Sequence, residues 1–410
     1  MITKFFENKT ALFTLVAASI ITLSTMGVRQ TFGLFSNDFE IFQNISTLEF
    51  GFAIALHSLI WGIFTIVFGR MGDKYGGKRG TLIALILYSI AIFSLGNNFS
   101  SGMWFQINLG LLVGLGLAGA AGTIMAPQVT KHFPNHNRAK AASIVTACGG
   151  LGMFIFPLMT NLFKNQFSWE ITLVIFSVIL LLMCIPAFYL KLPENNQSFN
   201  EISSPVKEES VFVVLKNALK HKGFKLLILG FFVCGFQITL IATHVPKYVS
   251  DRGLSDWTGF AILALIGLFN IFGTLLMGIL ADKYSKKLLL SGLYFLRGIT
   301  LMIFIFLPPS DYLAIFFGIS FGLLWLATVP ATNGIVAQVF GTRNISLLFG
   351  VVFLNHQIGS FLGAFLGGWF YQNFGSFDYA WYLAIILSFI ATLLHIPIDE
   401  RPLQKQAVTP

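Results

Sequence analysis

Apolar segments of about twenty residues, separated by short polar stretches, recur along the whole of this 410-residue chain. An α-helix needs about twenty apolar residues to cross the hydrocarbon core of a bilayer. Charged residues make up only 10% of the chain, too few to cover the surface of a soluble core of this size. The pattern predicts an all-α membrane protein with twelve transmembrane helices. We place these spans at 11–36, 48–68, 80–96, 103–125, 139–162, 169–190, 224–246, 257–281, 288–307, 312–335, 345–371 and 378–397.

The basic residues predict the orientation of the chain. With both termini in the cytoplasm, 21 of the 26 lysines and arginines lie on the cytoplasmic side. Lys164, Lys247 and Arg252 then lie outside, while Arg29 and Arg297 lie within spans. Because basic loops stay in the cytoplasm, we expect a multi-pass protein of the inner (plasma) membrane with both termini cytoplasmic. The net charge of +9 lies in these short clusters and forms no stripe for a nucleic-acid partner.

Two segments of the chain repeat one another. Residues 69–79 read GRMGDKYGGKR and residues 278–288 read GILADKYSKKL, so their Asp-Lys-Tyr triplets lie 209 residues apart. This distance is about half of the chain, which predicts a duplicated unit of six helices. We therefore expect an N-terminal six-helix bundle at 1–190, a cytoplasmic linker at 191–222 and a C-terminal six-helix bundle at 223–410. Paired bundles with a binding site at their interface are typical of transporters.

The end of the linker is amphipathic and predicts a helix that lies in the membrane interface, from about Val211 to Lys220. In such a helix the side chains of Val214 and Leu219 would face lipid, and Lys216 would reach the headgroups.

The N-terminus combines a basic start with an apolar run, as signal peptides do. We expect it to be retained, because its removal would delete one of an even set of spans and break the repeat. Cys148, Cys184 and Cys234 all fall inside apolar runs, so no disulfide framework is predicted.

The loop after the second span carries a complete motif. Residues 69–79 match Gly-x-x-x-Asp-Arg/Lys-x-Gly-x-Arg/Lys-Arg/Lys at every fixed position. Through this motif, the span count, the linker and the repeat, the whole chain resembles the major facilitator superfamily. The resemblance implies two six-helix bundles and a gating loop, with the matching positions Gly69, Asp73, Lys74, Gly76, Lys78 and Arg79. The second copy keeps Gly278, Asp282, Lys283 and Lys287 but has Ser285 in place of the glycine.

The chemistry of this loop suits a latch. Gly69 would let two helices approach closely. The Asp73 carboxylate would face the positive N-terminal end of a neighbouring helix, which the resemblance identifies as the eleventh, starting near Ile345. The basic residues of the loop would then face Asp73 and the headgroups. A loop that only sets topology would also carry these cations, but would not need the full pattern.

Arg29 interrupts the first apolar run, in the stretch MGVRQTFGLF. A guanidinium near the middle of a bilayer costs about 2.5–3.5 kcal/mol on insertion scales. No span interior holds an Asp or Glu to neutralise it. This stretch, CGFQITLIATHVP and NHQIGSFLGAFLGGW resemble the bacterial branch near the monocarboxylate transporters and oxalate–formate antiporters. The resemblance places Arg29 at the position of a carboxylate-binding cation. The alternative is a structural arginine bonded to backbone carbonyls.

Further polar residues within spans complete the predicted site. Gln237 lies at the depth of Arg29 by the repeat offset, and His356 and Gln357 lie mid-span in the eleventh helix. Asn270 stands near the position where related carriers hold an arginine or an acidic residue. The predicted substrate-binding residues are Arg29, Gln237, Asn270, His356 and Gln357. Side chains that could carry a proton are His57, His244 and His356. Packing or hydrogen bonding between helices is the alternative for each of these, and we expect it for Arg297.

These features predict a secondary transporter that moves a small organic anion, a mono- or dicarboxylate, by alternating access. We expect a monomer in the lipid bilayer with no cofactor or metal, and no enzymatic activity, because no carboxylate pair, metal-ligand spacing or nucleotide loop is visible. The alternatives are efflux of amphipathic compounds and a non-transporting nutrient sensor. Gly110 stands where many drug–proton antiporters have an arginine, which disfavours the first. Import and export both remain open, as do proton symport, exchange and facilitated diffusion.

Overall fold

The computed structural model describes residues 9–97, 102–133, 135–190, 211–341 and 345–403. Within these residues the chain forms twelve helices that are long and apolar enough to cross a membrane, and it forms no strand. Their number and positions confirm the prediction of an all-α membrane fold. The helices are α1 (Lys9–Gln43), α2 (Thr47–Tyr75), α3 (Gly77–Leu95), α4 (Gly102–Thr130), α5 (Asn135–Gln166), α6 (Trp169–Ala187), α7 (Lys222–Asp251), α8 (Asp256–Lys283), α9 (Lys286–Phe306), α10 (Asp311–Phe340), α11 (Ile345–Phe374) and α12 (Asp378–His395).

Short polar residues start several of these helices. Ser46 and Glu49 form a reciprocal capping box at the start of α2, in which each side chain accepts a bond from the other residue's backbone amide. The hydroxyl groups of Ser168 and Ser310 accept bonds from backbone amides in the first turns of α6 and α10. Between α2 and α3, Gly76 has a φ of 82°, which allows the chain to turn back within one residue. The spans predicted from hydropathy therefore end close to these caps.

Four spans are not continuous α-helices, which hydropathy did not predict, and one of them is α6, which is interrupted by a turn at Met183. Helix α1 tightens into a 3₁₀ turn at Phe32–Phe35, and α4 contains a π-helical stretch and a break at Ala121. Helix α10 breaks between Leu324 and Thr328. Pro330 lies just after the break in α10 and has no amide proton to donate to the preceding turn. Ala121 and Pro330 lie 209 residues apart, so the breaks in α4 and α10 occupy equivalent places in the two halves.

Helices α1–α6 form one bundle and α7–α12 form the other. The glycine-rich segments 114–122 and 359–368 are close-packing faces, as predicted. A Cβ atom on Gly116 would lie 2.5 Å from Tyr88, and one on Gly359 would lie 2.0 Å from the carbonyl oxygen of Phe232. The helices meet at these faces with no room for a side chain.

Among the described residues, the two bundles touch in the distal half and near the middle of the spans. We call the end with both chain termini the terminal end, and the end with the α1–α2 turn the distal end. In the distal half, a Cβ on Gly33 would lie 2.3 Å from the Ala242 carbonyl oxygen, and one on Gly368 would lie 2.6 Å from the Thr47 carbonyl oxygen. In the terminal half, a Cβ on Gly278 or Gly350 would meet no atom within 4 Å. The backbones of the two bundles are thus in direct contact at the distal end, whereas Gly278 and Gly350 show no such contact in the terminal half.

The linker helix forms at Val211–Lys220, the bounds predicted from its amphipathic pattern. The side chain of Val214 packs with Ala218 against the core of the C-terminal bundle. Its predicted exposure to lipid is therefore wrong, whereas Leu219 is 45% exposed. The first part of the predicted linker, 191–210, lies outside the described residues, and the domain boundaries stay a prediction.

Candidate functional site

Arg29 lies just before the 3₁₀ turn of α1 and is half-buried. Its guanidinium carbon stands over the ring of Trp61 in α2, 5.2 Å from the ring centroid. Its Nε atom is buried without a hydrogen-bond partner, and no described residue forms a hydrogen bond or ion pair with the guanidinium. The aromatic face offers about 0.5–2 kcal/mol to a cation and leaves the hydrogen-bond donors of the guanidinium unused. Arg29 is therefore held in place but keeps its donors available.

A row of aromatic rings connects Arg29 to the opposite bundle. The Trp61 ring stands edge-on to Phe353 of α11, with 5.8 Å between centroids. Phe353 in turn stacks on the His356 imidazole, also at 5.8 Å. The indole nitrogen of Trp61 donates to the Thr123 hydroxyl of α4 at 3.3 Å, which fixes the ring. The predicted residues Arg29 and His356 thus lie on one row that crosses the seam between the bundles.

Gln357 bridges the seam directly. Its side-chain amide donates a hydrogen bond to the Ser58 carbonyl oxygen of α2 at 2.9 Å. The other end of the same side chain lies 3.1 Å from His356 Nδ1 and accepts from the Ser360 hydroxyl at 3.4 Å. Gly62 makes this approach feasible, because a Cβ there would lie 2.9 Å from the Gln357 side chain. The structure therefore brings Gln357 and His356 together where α2 meets α11.

His57 lies one helical turn before Trp61 and borders the same region. Its ring centroid is 6.1 Å from that of Phe32, three residues after Arg29. The side chain is 1% exposed, and neither ring nitrogen has a hydrogen-bond partner among the described residues. An unpaired buried polar group costs about 1–3 kcal/mol, so structures retain few of them without a function.

Gln237 does not belong to this group of residues. Its amide nitrogen donates to the Ala384 carbonyl oxygen at 3.0 Å and to the Ser388 hydroxyl, while its oxygen accepts from Arg297 at 3.3 Å. The side chain is fully buried inside the C-terminal bundle. The prediction put Gln237 near Arg29 because the two residues lie at equal depth in the membrane. The Gln237 side chain points away from the seam, however, and both ends of its amide already form hydrogen bonds.

Asn270 also has a structural environment. Its side-chain oxygen accepts hydrogen bonds from the Leu326 backbone amide at 3.0 Å and from the Thr274 hydroxyl at 3.2 Å. Leu326 lies inside the break of α10, whose backbone groups need partners from other helices. The structure therefore places Asn270 as a support for this break rather than next to Arg29.

Arg297 packs inside the C-terminal bundle, as expected. It is completely buried, and its guanidinium donates to the carbonyl oxygens of Leu324, at 2.7 Å, and of Trp325. Both carbonyls flank the break of α10. The same guanidinium stands over the Tyr294 ring at 5.3 Å. Arg297 thus stabilises a discontinuous helix, a contact that the sequence did not predict.

His244 lies between α7 and α11 near the distal end. Its Nε2 is 2.9 Å from the Ala364 carbonyl oxygen, and its ring packs against Phe377 with 5.0 Å between centroids. Gly367 leaves the space for this ring, since a Cβ there would lie 2.4 Å from it. His244 is 1% exposed, and its role as a proton carrier stays a prediction.

The predicted gating loop lies at the terminal end. The Lys78 ammonium stands 4.2 Å from the Phe188 ring centroid. The Lys74 ammonium and the Arg79 guanidinium both stand over the Tyr75 ring. Asp282 is exposed, and the side chain of Asp73 lies outside the described residues. The latch therefore stays a prediction.

One part of the gating-loop prediction is wrong. Gly69 does not stand at a close approach of two helices, because the nearest atom to a Cβ there would be 3.9 Å away. The close approach is at Gly72, where a Cβ would lie 2.0 Å from the Gln128 side chain. Gly69 and Gly72 are three residues apart on one helix and both face α4, but only Gly72 leaves no room for a side chain.

Trp61 is the residue of this site that the sequence analysis missed. A mid-span tryptophan among other aromatic residues gives no distinctive pattern. The repeat could nevertheless have pointed to Trp61, because it lies 209 residues before Asn270, which was predicted to bind substrate. The indole of Trp61 contacts the helix segment after the α4 break, just as Asn270 contacts the α10 break.

Comparison with known proteins supports the same architecture. The family profile of the Major Facilitator Superfamily matches residues 10–329. Monocarboxylate transporter 12 of Mus musculus is 23% identical, with 93% of this chain and 86% of the relative covered. The hexuronate transporter of Bacillus subtilis is also 23% identical, with 89% and 90% covered. A solved structure of a bacterial homologue of the human lysosomal transporter Spinster, inward-facing and unoccupied, superposes with a TM-score of 0.73 at 14% identity, covering 96% and 99% of the two chains.

Proposed function

Because the chain belongs to the Major Facilitator Superfamily and is therefore a multi-pass membrane transporter, we propose that its substrate is a small organic anion whose carboxylate binds Arg29. The single observation that carries this proposal is the unpaired guanidinium of Arg29, half-buried at the seam between the bundles. Trp61, His356 and Gln357 line the same stretch of the seam and complete the proposed site.

The free energy of the buried charge supports this assignment. A guanidinium at this depth is costly, and its cost falls when an anion neutralises it. The described parts of the spans offer Arg29 no carboxylate, whereas Lys164 and Lys247 already have acidic partners. A bound substrate anion would therefore supply the negative charge that no described protein group offers to Arg29. Two of the relatives carry names that share one chemistry, since monocarboxylates and hexuronates both have a carboxylate group.

The difference between the two ends of the seam supports alternating access as the mechanism, because the backbones of the bundles meet at the distal end but not at Gly278 or Gly350 in the terminal half. The positive-inside pattern predicts that the terminal end faces the cytoplasm, so the structure corresponds to a state closed to the outside. Arg29 then lies just beyond the terminal half of the seam, where a substrate would reach it from the cytoplasmic side. Opening of the distal half and closure of the terminal half would expose the same site to the other side.

The proposal is tested by the affinity of stable protein for carboxylates. Charge-assisted contacts contribute about 1.5–3 kcal/mol, so Arg29→Gln should weaken binding roughly ten- to a hundredfold. Arg29→Lys keeps the charge but not the planar fork, and should retain weak binding. A panel of mono- and dicarboxylates, with neutral amide analogues as controls, is titrated by thermal shift on monodisperse protein, because a bound ligand raises the stability of the folded state.

Wild-type protein should respond to carboxylates and not to the matching amides. Unchanged carboxylate affinity in Arg29→Gln would remove Arg29 from the site, and with it the reason to assign an anion. Equal loss of thermal stability in both variants, with no selective effect on anions, would identify Arg29 as a structural arginine.

A further inference from the structure

An ion pair joins the two bundles at the closed distal end. The Lys247 ammonium of α7 lies 2.9 Å from a carboxylate oxygen of Glu40, near the end of α1. The same ammonium donates to the side-chain oxygen of Asn37 at 3.4 Å. The Lys247 side chain is only 10% exposed, so water screens the pair less than it would at a free surface. One turn earlier on α7, the backbone at Ala242 packs directly on Gly33.

The part of α1 that carries Glu40 is fastened to its own bundle by a second lysine. Lys164 of α5 forms an ion pair with Asp38 and donates to the Leu34 carbonyl oxygen at 3.2 Å. Leu34 lies in the 3₁₀ turn, where carbonyl groups lack their regular helical partners. The segment Ser36–Gln43 therefore moves with the N-terminal bundle, and the contact of Glu40 with Lys247 must break when the bundles separate here.

Each member of the inter-bundle pair has a second partner within its own bundle. Asp251 lies one turn after Lys247 on α7, with 3.9 Å between the charged atoms. The Thr47 hydroxyl lies 3.5 Å from the Glu40 carboxylate. Separation of the bundles would thus leave neither charge without a partner, which keeps the free-energy cost of opening small. Lys164 and Asp38 keep their contact in either state, because both belong to one bundle.

We propose that Lys247 and Glu40 form a lock that holds the distal end of the transporter closed, and that exchange of Lys247 from Glu40 to Asp251 accompanies its opening. Asn37 and Gly33 contribute to the same closure. The lock is separate from the site at Arg29 and does not depend on the identity of the substrate. It stabilises one end state over the other by the free energy of a contact that only the closed distal end provides.

The test measures how often the distal seam opens in purified full-length protein without substrate. Ala364 of α11 is fully buried in a hydrophobic cluster made mostly of residues from the N-terminal bundle, close to Gly51 in the distal half, so a thiol at Ala364→Cys becomes accessible when the seam separates. Peptide mass spectrometry follows its alkylation and distinguishes it from the native cysteines. In this background, Glu40→Gln and Lys247→Met should each raise the alkylation rate roughly three- to tenfold, the effect expected for one partly buried ion pair. The double variant should exceed the stronger single variant by less than twofold.

Asp38→Asn is the matched control, since it removes an ion pair at the same end that lies within one bundle. It should leave the alkylation rate within twofold of the background. Equal rates in Glu40→Gln and the background would overturn the lock, as would an equal rise in Asp38→Asn, which would indicate general loosening. If Lys247→Met does not yield folded protein, Glu40→Gln decides alone, because the Glu40 side chain is 41% exposed and tolerates the change. Loss of carboxylate binding at Arg29 would not affect this result.

Discussion

The N- and C-terminal bundles each hold an arginine within the membrane, and the two have opposite surroundings. Arg297 in α9 donates to two backbone carbonyls at a helix break and to Gln237, and is completely buried. Arg29 in α1 has an aromatic face beside it and no hydrogen-bond acceptor among the described residues. The same side chain is thus a structural element in one bundle and an available donor in the other.

The repeat explains why the two arginines differ. Arg297 corresponds by the 209-residue offset to Tyr88, whose hydroxyl donates to the Thr25 carbonyl oxygen of α1 at 3.3 Å. In both halves, therefore, the third helix sends a polar side chain towards the first helix and the broken fourth helix. The position equivalent to Arg29 is Ile238. Arg29 has no counterpart in the C-terminal bundle, and the asymmetry is what would be expected of a residue kept for a ligand.

The largest expected effect is on stability and separates the two arginines directly. Arg297→Met should lower the melting temperature strongly, because each buried acceptor left without a donor costs about 1–3 kcal/mol. Arg29→Met should leave the melting temperature unchanged or raise it, because no acceptor loses a donor and a buried charge is removed. Thermal unfolding of both variants in one detergent measures the difference. A similar fall in both would show that Arg29 is also structural and would end the contrast between the bundles.

A smaller effect is expected at Gln237, which lies against Arg297. Gln237→Leu removes hydrogen bonds to Arg297, Ala384 and Ser388, each worth about 0.5–1.5 kcal/mol net, and should lower stability. Carboxylate affinity should stay within about twofold of wild type, since the side chain does not reach the seam. Thermal unfolding and ligand titration on the same samples give both values. A selective loss of carboxylate binding at unchanged stability would return Gln237 to the site.

The smallest effect is expected at Trp61, which holds the Arg29 guanidinium by its ring face. Trp61→Phe keeps an aromatic face and should change carboxylate affinity by less than about twofold, whereas Trp61→Leu should weaken binding about two- to fivefold, in line with a cation–π contribution of about 0.5–1 kcal/mol. Trp257→Leu is a control, because Trp257 is 53% exposed at the distal end of α8. If Trp61→Phe and Trp61→Leu bind carboxylates equally, the ring does not position Arg29.

Much of the fold could be predicted from local patterns. The number of spans follows from segment length and hydropathy, because lipid offers no partner to backbone groups outside a helix. The duplication follows from the repeated Asp-Lys-Tyr triplets, and the linker helix from its amphipathic pattern. The prediction that Arg29 lacks an acidic partner needed only the list of residues within the spans.

Only the tertiary structure decided which polar side chains share an environment. Gln237 and Arg29 lie at equal depth, yet they face different neighbours, because depth along a helix does not determine the direction of a side chain. The acceptors of Arg297 and the donor to Asn270 are backbone groups, freed where α10 breaks, and no pattern of residue types marks such groups. The ion pair between Lys247 and Glu40 likewise joins helices far apart in the chain, and no local pattern of residues brings the two charges together. Hydropathy measures how favourably each residue transfers from water into lipid. The contacts described here depend instead on how one helix packs against another, which the transfer free energy of single residues does not determine.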